Sequence, residues 1–300
     1  VETNPKSLDP QTLAKIKGLQ LRAQHIVEGF VAGLHRSPYH GFSIEFAEHR
    51  EYAPGDDLRY VDWKVFGRTD KYYLKQYEDE TNLIVYLVLD VSESMSYRSG
   101  DSPLTKLEYA QCLAAAMTWL VLQQQDAIGL VTFDDRIRSY IRPSGNPSHM
   151  QTVLHAMDTA SATKKTSTGP IFHELAERFT DRGVVMVLSD FFDDVNSVTA
   201  GLKHFRYRRH DVVLFHTLDV AELDFPFTQP TLFKGLEEFP EVLADARSLR
   251  RAYLKEFNDF LTNLKAGCRG LGMDYQEMRT DQRVDLALVP YLASRMARMK

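Results

Sequence analysis

From residue 83 onward, the apolar positions fall into two alternating patterns. "LIVYLVLD" (83–90), "AIGLVTF" (127–133), "GVVMVLSD" (183–190) and "DVVLFHTL" (211–218) are short, nearly unbroken apolar runs. That is the pattern of strands buried on both faces. Between them lie longer segments with helical spacing: residues 104–125, then "PSHMQTVLHAMDTA", "PIFHELAERFTD" and "VNSVTAGLKHFRYR". "RIRSYIR" (136–142) alternates with charge and is expected at a sheet edge. Residues 219–240 carry prolines and phenylalanines without a period and are expected to form an excursion, with a hairpin at "PTLFKGLEE". A long helix (246–271), a strand "MDYQEMR" (273–279) and a last helix (282–298) complete the pattern. Strands alternating with helices predict an α/β fold: a mainly parallel central sheet flanked by helices.

The first 80 residues differ. Leu13, Ile16, Leu19, Leu21, Ile26 and Phe30 recur at helical spacing and predict a helix over 7–33. Residues 36–80 are aromatic, heavily charged and broken at Pro54-Gly55. "GFSIEFAEH" and "YYLKQYE" read as strands of a small β unit, with "APGDD" as a turn. The expected division is therefore 1–80, an N-terminal helix and β-rich segment, and 81–300, the α/β domain, with its excursion at about 219–247.

Composition narrows this picture only slightly. A chain of 300 residues that is 44% hydrophobic can bury a core without disulfides. Its cysteines, Cys112 and Cys268, are too few for a disulfide framework and point to a reducing, cytoplasmic setting. A formal charge of -5 argues against general nucleic-acid binding. The apolar stretches fall short of the ~20 residues of a membrane helix.

The chemistry sits where strands end. Asp90 and Asp190 close the two most apolar runs, and in open α/β sheets ligands bind at the carboxyl ends of strands. After Asp90 come Ser92 and Ser94, and "TKKTSTGPIF" (163–172) is a hydroxyl-rich loop entering a helix. Asp90, Ser92, Ser94, Thr166 and Asp190 are all oxygen donors, a set that selects a hard cation over Zn²⁺. Two carboxylates and three hydroxyls suit Mg²⁺ or Mn²⁺ better than Ca²⁺, which tends to use more carboxylates. A cation so held keeps an open coordination position, and a carboxylate from another molecule could fill it. Taken alone, Asp-x-Ser-x-Ser could equally be a helix cap. The three elements in order favour the metal.

Other constellations weigh less. Arg50, Arg59, Trp63, Lys64 and Arg68 suggest partner contacts or a self-paired β unit. "KHFRYRRH" (203–210) reads as a helix end whose bases offset the dipole. "HELAE" at 173 lacks the second histidine of a zinc helix, and no phosphate loop or nucleophile elbow occurs. An enzyme alternative, a Mg²⁺-dependent phosphohydrolase with Asp90 as nucleophile, meets Ser92 where such enzymes carry a second aspartate. A structural domain without functional metal is the third possibility.

These residues resemble the metal-ion-dependent adhesion site of von Willebrand factor A domains, which have a Rossmann-like fold. The resemblance implies that Asp90, Ser92, Ser94, Thr166 and Asp190 bind one divalent cation. Lys164 and Lys165 stand where many such domains have glycines, Phe191 where many have a glycine after the aspartate, and Thr168 could replace Thr166 as ligand. Phe191 and Phe192 could alter access to the cation, and Asp193 and Asp194 could add charge near it. A narrower resemblance, through "EFAEHREYAPGDDLRYVDWK", the metal motif and "LDVAELDFPF", is to a bacterial family called domain of unknown function 58. That family implies a cytoplasmic A-like domain, often encoded beside MoxR-type AAA+ ATPases, and the reading favoured here for this chain is a metal-dependent adaptor. Its expected partner is a MoxR-type AAA+ ATPase, or a client of that ATPase, that supplies an Asp or Glu.

Overall fold

The structure, a computed structural model, describes residues 10–35, 49–51, 73–75, 83–100, 102–160, 168–235, 241–288 and 291. In chain order it contains α1 (Pro10–Lys15), α2 (Leu19–His35), β1 (His49–Glu51), β2 (Tyr73–Lys75), β3 (Ile84–Asp90) and a 3₁₀ turn at Glu93–Ser96. Next come α3 (Lys106–Gln123), β4 (Ala127–Phe133), β5 (Ile137–Ser144), α4 (His149–Asp158), α5 (Thr168–Arg178), β6 (Val184–Ser189), α6 (Val195–Tyr207) and β7 (Asp211–Leu218). The chain continues through α7 (Val220–Asp224), β8 (Pro230–Phe233), β9 (Val242–Asp245), α8 (Ala246–Gly270) and β10 (Asp274–Arg279), and is helical again at 284–288.

By its contacts the chain divides into residues 34–82 and a larger unit of 1–33 with 83–300. In the smaller unit β1 pairs antiparallel with β2, Arg50 opposite Leu74. The sequence grouped the N-terminal helix with this β segment, whereas the structure groups it with the larger unit. The reason is its apolar stripe: Leu13, Leu19, Ala23, Ile26 and Val27 are buried in the same layer as α3. The helix is also two helices. They part at Gly18, whose φ of +92° is left-handed backbone that glycine adopts without a Cβ clash.

Six strands of the larger unit form one sheet in the order β10-β7-β6-β3-β4-β5. All neighbours are parallel except β4 and β5. The expected α/β fold with a mainly parallel central sheet flanked by helices is therefore the fold. β3 lies inside the sheet, with Leu87 registered against Leu130 of β4 and Met186 of β6. Because both its faces are covered, its side chains can be apolar without alternation. β5 takes the edge with half-exposed residues, as "RIRSYIR" predicted. The β8–β9 hairpin pairs Leu232 with Leu243, so its return strand begins at Val242 and not within "PTLFKGLEE".

Two apolar layers sandwich the sheet. One packs α1 to α4 and the last helical residues against it. The other packs α5, α6 and α8. The helix after β3 lies in the first layer and the helix after β6 in the second, although β3 and β6 are neighbours. The loops leaving these strands therefore part in opposite directions and open a crevice at their carboxyl ends. On the second layer α5 and α6 approach closely. A Cβ on Gly201 would lie 2.8 Å from the Gly169 carbonyl oxygen, so glycines set this spacing. Among the described residues no helix is long and apolar enough to cross a membrane.

Candidate metal centre

Aspartates stand at or just past the ends of β3, β4, β6 and β7: Asp90, Asp134, Asp190 and Asp219, all buried. Three of them have evident structural partners. Asp134 is gripped by the Arg138 guanidinium, with Nε 2.7 Å from each carboxylate oxygen. Asp219 caps α7 through the Ala221 N–H (2.9 Å) and accepts from the Ser99 N–H (3.1 Å) and the Thr280 hydroxyl (3.2 Å). Asp190 accepts a hydrogen bond from the Lys106 ammonium at 2.7 Å.

Asp90 is different. Its Oδ1 accepts the Ser92 N–H at 2.9 Å, closing a tight turn, and its Oδ2 accepts the Ser189 hydroxyl at 2.5 Å. Among the described residues no cationic side chain pairs with it. Burial, and then the nearby charge of Asp190, push its carboxyl up to about 7, against the pull of the Ser189 and Ser92 hydrogen bonds. The turn it closes brings Ser92 Oγ within 3.0 Å of Ser94 Oγ, the latter on the 3₁₀ turn. Asp90, Ser92 and Ser94 thus form one buried oxygen cluster on one side of the crevice, and Asp190, just past β6, is near enough for its charge to act on Asp90.

The second-loop ligand is less direct. Thr166 lies outside the described residues, as do Lys164 and Lys165. Thr168, the first residue of α5, donates its N–H and its hydroxyl to Asp193 Oδ2 at 2.9 and 2.8 Å. A hydroxyl that donates still has lone pairs to offer. Asp193 and Asp194, expected to add charge near a cation, have structural partners: Asp193 holds Thr168, and Asp194 caps α6 through the Ser197 N–H. Phe191, at φ 51°, adopts the left-handed backbone that glycine would take freely. Its buried ring packs edge-on against His216 at 5.4 Å, a contact that offsets the backbone cost.

Sequence reasoning missed Lys106, Glu222 and Ser189. Lys106 is the first residue of α3, held there by the Thr105–Glu108 capping box, and it is fully buried. A cation at a helix N-terminus opposes the dipole, so its neighbours must favour it. Its ammonium bridges Asp190 Oδ2 (2.7 Å) and Glu222 Oε1 (2.6 Å) and lies 4.7 Å from the Phe192 ring centre. Burial works against its charge, but the two carboxylates outweigh burial and raise its pKa above the ordinary lysine value. Nothing in the sequence marks this lysine, at the start of a largely apolar helix, as pointing inward.

The donor set fits a hard divalent cation. It offers two carboxylates and several hydroxyls, with neither nitrogen nor sulfur. Among the described residues no three His, Cys, Asp or Glu side chains form a cage, so hydroxyl donors would have to complete any shell. Beside the cluster opens a cavity of about 730 Å³, reached at Ser94, Lys106 and Glu222 and walled by aromatics from the excursion and α8.

The family described as "Protein of unknown function DUF58" matches residues 48–260. The chain belongs to this family. The DUF58 match takes in the oxygen cluster, Lys106, Glu222 and the excursion, and ends inside α8. Uncharacterized proteins of Mycobacterium tuberculosis and Mycobacterium bovis are each 25% identical to this DUF58 chain over 292 residues, 96% of this chain and 90% of theirs. Among solved structures, BatB from Bacteroides thetaiotaomicron is 15% identical, with a TM-score of 0.46 over 72% of this chain and 99% of its own. The SpRpn10 VWA domain is 14% identical, with a TM-score of 0.38 over 69% and 93%.

Proposed function

We propose that this DUF58 chain is a protein-binding adaptor that works through one divalent cation, Mg²⁺ or Mn²⁺. Asp90, Ser92, Ser94, Asp190 and a threonine of the second loop, Thr166 or Thr168, hold the ion directly or through water. An Asp or Glu of a partner would complete the shell that these residues leave unfilled. In keeping with the family resemblance, we name that partner as a MoxR-type AAA+ ATPase or a client of it.

The observation that supports this most is a charge imbalance. Asp90 and Asp190 are buried carboxylates, Glu222 is a third at the cavity, and Lys106 brings one ammonium. Fully ionised, these groups would leave two negative charges uncompensated, and burial together with the charge of Asp190 already favours the neutral form of Asp90. Buried charge is stable only when compensated, and one dication at Asp90 would balance the cluster. When bound, the cation supplies a Lewis-acidic site for an incoming carboxylate. The chain's own part is to place the oxygens, exclude water and fix Asp190 through Lys106.

One observation favours a metal-free structural reading: Lys106 already gives Asp190 a counter-ion. Calorimetric titration of Mg²⁺ and Mn²⁺ into wild type and Asp90→Ala separates the two. We expect binding by wild type that is lost in the variant, metal-dependent capture of the ATPase and no phosphatase turnover. Absence of metal binding by wild type would sink the proposal in favour of the structural reading. Turnover abolished by Asp90→Ala would replace it with the hydrolase.

A further inference from the structure

The cavity beside the oxygen cluster is the feature that the metal reading alone leaves without a role. Its far wall is aromatic. The Phe225 ring centre lies 4.6 Å from that of Tyr253 and 5.8 Å from that of Phe233, and Phe227 meets Phe233 edge-on at 5.4 Å. Its near end is polar, formed by Ser94, Lys106 and Glu222. Lys106 is already engaged by Asp190 and Glu222, and the other charged lining residues, Lys234 and Glu256, are mostly exposed, so the interior offers more to an apolar group than to a charged one. A volume of about 730 Å³ lies in the range in which proteins bury most of a small ligand or a pair of large side chains.

Ser94 links the two sites: it belongs to the oxygen cluster and also lines the cavity. A group bound at a cation held by Asp90 and Ser94 would therefore have the cavity beside it. Apolar surface also continues outside the cavity. On the hairpin, Leu232 is 51% and Leu243 72% exposed, while Leu249 of α8, which lines the cavity, is itself 42% exposed. That rim exceeds what a small carboxylate would cover and suits a polypeptide.

We infer that the partner's recognition element is a peptide segment in which the metal-binding Asp or Glu is flanked, within a few residues, by a bulky apolar side chain such as Phe, Leu or Met that enters the cavity. The inference rests on the proposed metal-dependent binding. It gives the excursion the task of reading the residue beside the carboxylate. A protein anchor of this kind concentrates binding energy in one buried side chain.

The test is selection from a random peptide library on the full chain in Mg²⁺, with elution by chelator. Two variants accompany it: Ala252→Trp, which fills the cavity from the exposed side of α8, and Phe227→Asp, which puts a charge on its wall. Enriched peptides should pair an Asp or Glu with a large apolar residue. Both variants should keep wild-type Mg²⁺ affinity while losing capture by about tenfold or more. Acidic peptides without an apolar neighbour, capture indifferent to both variants, capture that persists in chelator, or no enrichment would each overturn the inference while leaving measured metal binding intact. Loss of metal binding in wild type would overturn the underlying function as well.

Discussion

Lys106 shows how much one side chain can be asked to do. Its ammonium is the only cation among the described residues that touches Asp190, and it joins that residue to Glu222 at the cavity mouth. Removing one partner of a buried ion pair strands the others' charge, which typically costs about 3–5 kcal/mol. Lys106→Met should therefore lower stability to urea by about that amount. Adding Glu222→Gln in the same background should recover part of the loss, because one stranded carboxylate is gone. A loss under about 1 kcal/mol at pH 7 would mean that the cluster does not depend on this ammonium. The sequence named Asp90, Ser92, Ser94 and Asp190 because strand-end carboxylates and clustered hydroxyls are visible in one dimension. Lys106 and Glu222 escaped notice because an inward-pointing lysine cannot be told from a solvated one until its helix is docked.

At the scale of elements, the α5–α6 contact sets where the second loop enters the crevice. Gly169 and Gly201 permit this approach, and Thr168, immediately before Gly169, reaches Asp193 across it. Within a helix, alanine is ordinarily better than glycine by about 0.8–1.0 kcal/mol. Here the order should reverse. A Cβ on Gly201 would meet the Gly169 carbonyl oxygen at 2.8 Å, so Gly201→Ala forces the helices apart, an overpacking that usually costs about 1–3 kcal/mol. Thermal unfolding measures this, and a stabilised variant would refute the close contact. The apolar periods predicted most of the helices and strands, since burial dictates both. They did not reveal the break at Gly18 or the short α7, which local backbone preference and capping produce.

The whole molecule adds a pH dependence. His210 is buried in the second layer, where its Nδ1 accepts the Gly183 N–H at 3.3 Å and rings of Tyr86, Phe179 and Phe205 surround it. Burial holds its imidazole below the ordinary 6.5. The unfolded chain therefore binds this proton at a higher pH than the native one. The histidine's contribution to stability is complete above pH 6.5 and is lost as pH falls below that value toward the folded pKa. Stability measured between pH 7.5 and 5.5 (about one unit either side of the ordinary value) should fall more steeply in wild type than in His210→Phe. Equal slopes would show that this imidazole is not held neutral by the fold.

The amino-acid order determined the α/β class, the parallel core strands and the polar edge strand, because strand and helix periods follow directly from which side chains avoid water. It also supplied the strand-end carboxylates and hydroxyls of the candidate site. Only the tertiary structure decided that Asp90 and Asp190 lie near one another: β3 and β6 lie far apart in the chain yet adjacent in the sheet, and their following helices leave on opposite sides. The same docking turned Lys106 inward and closed the excursion and α8 around a cavity. Both depend on long-range packing, and that leaves no period in the sequence.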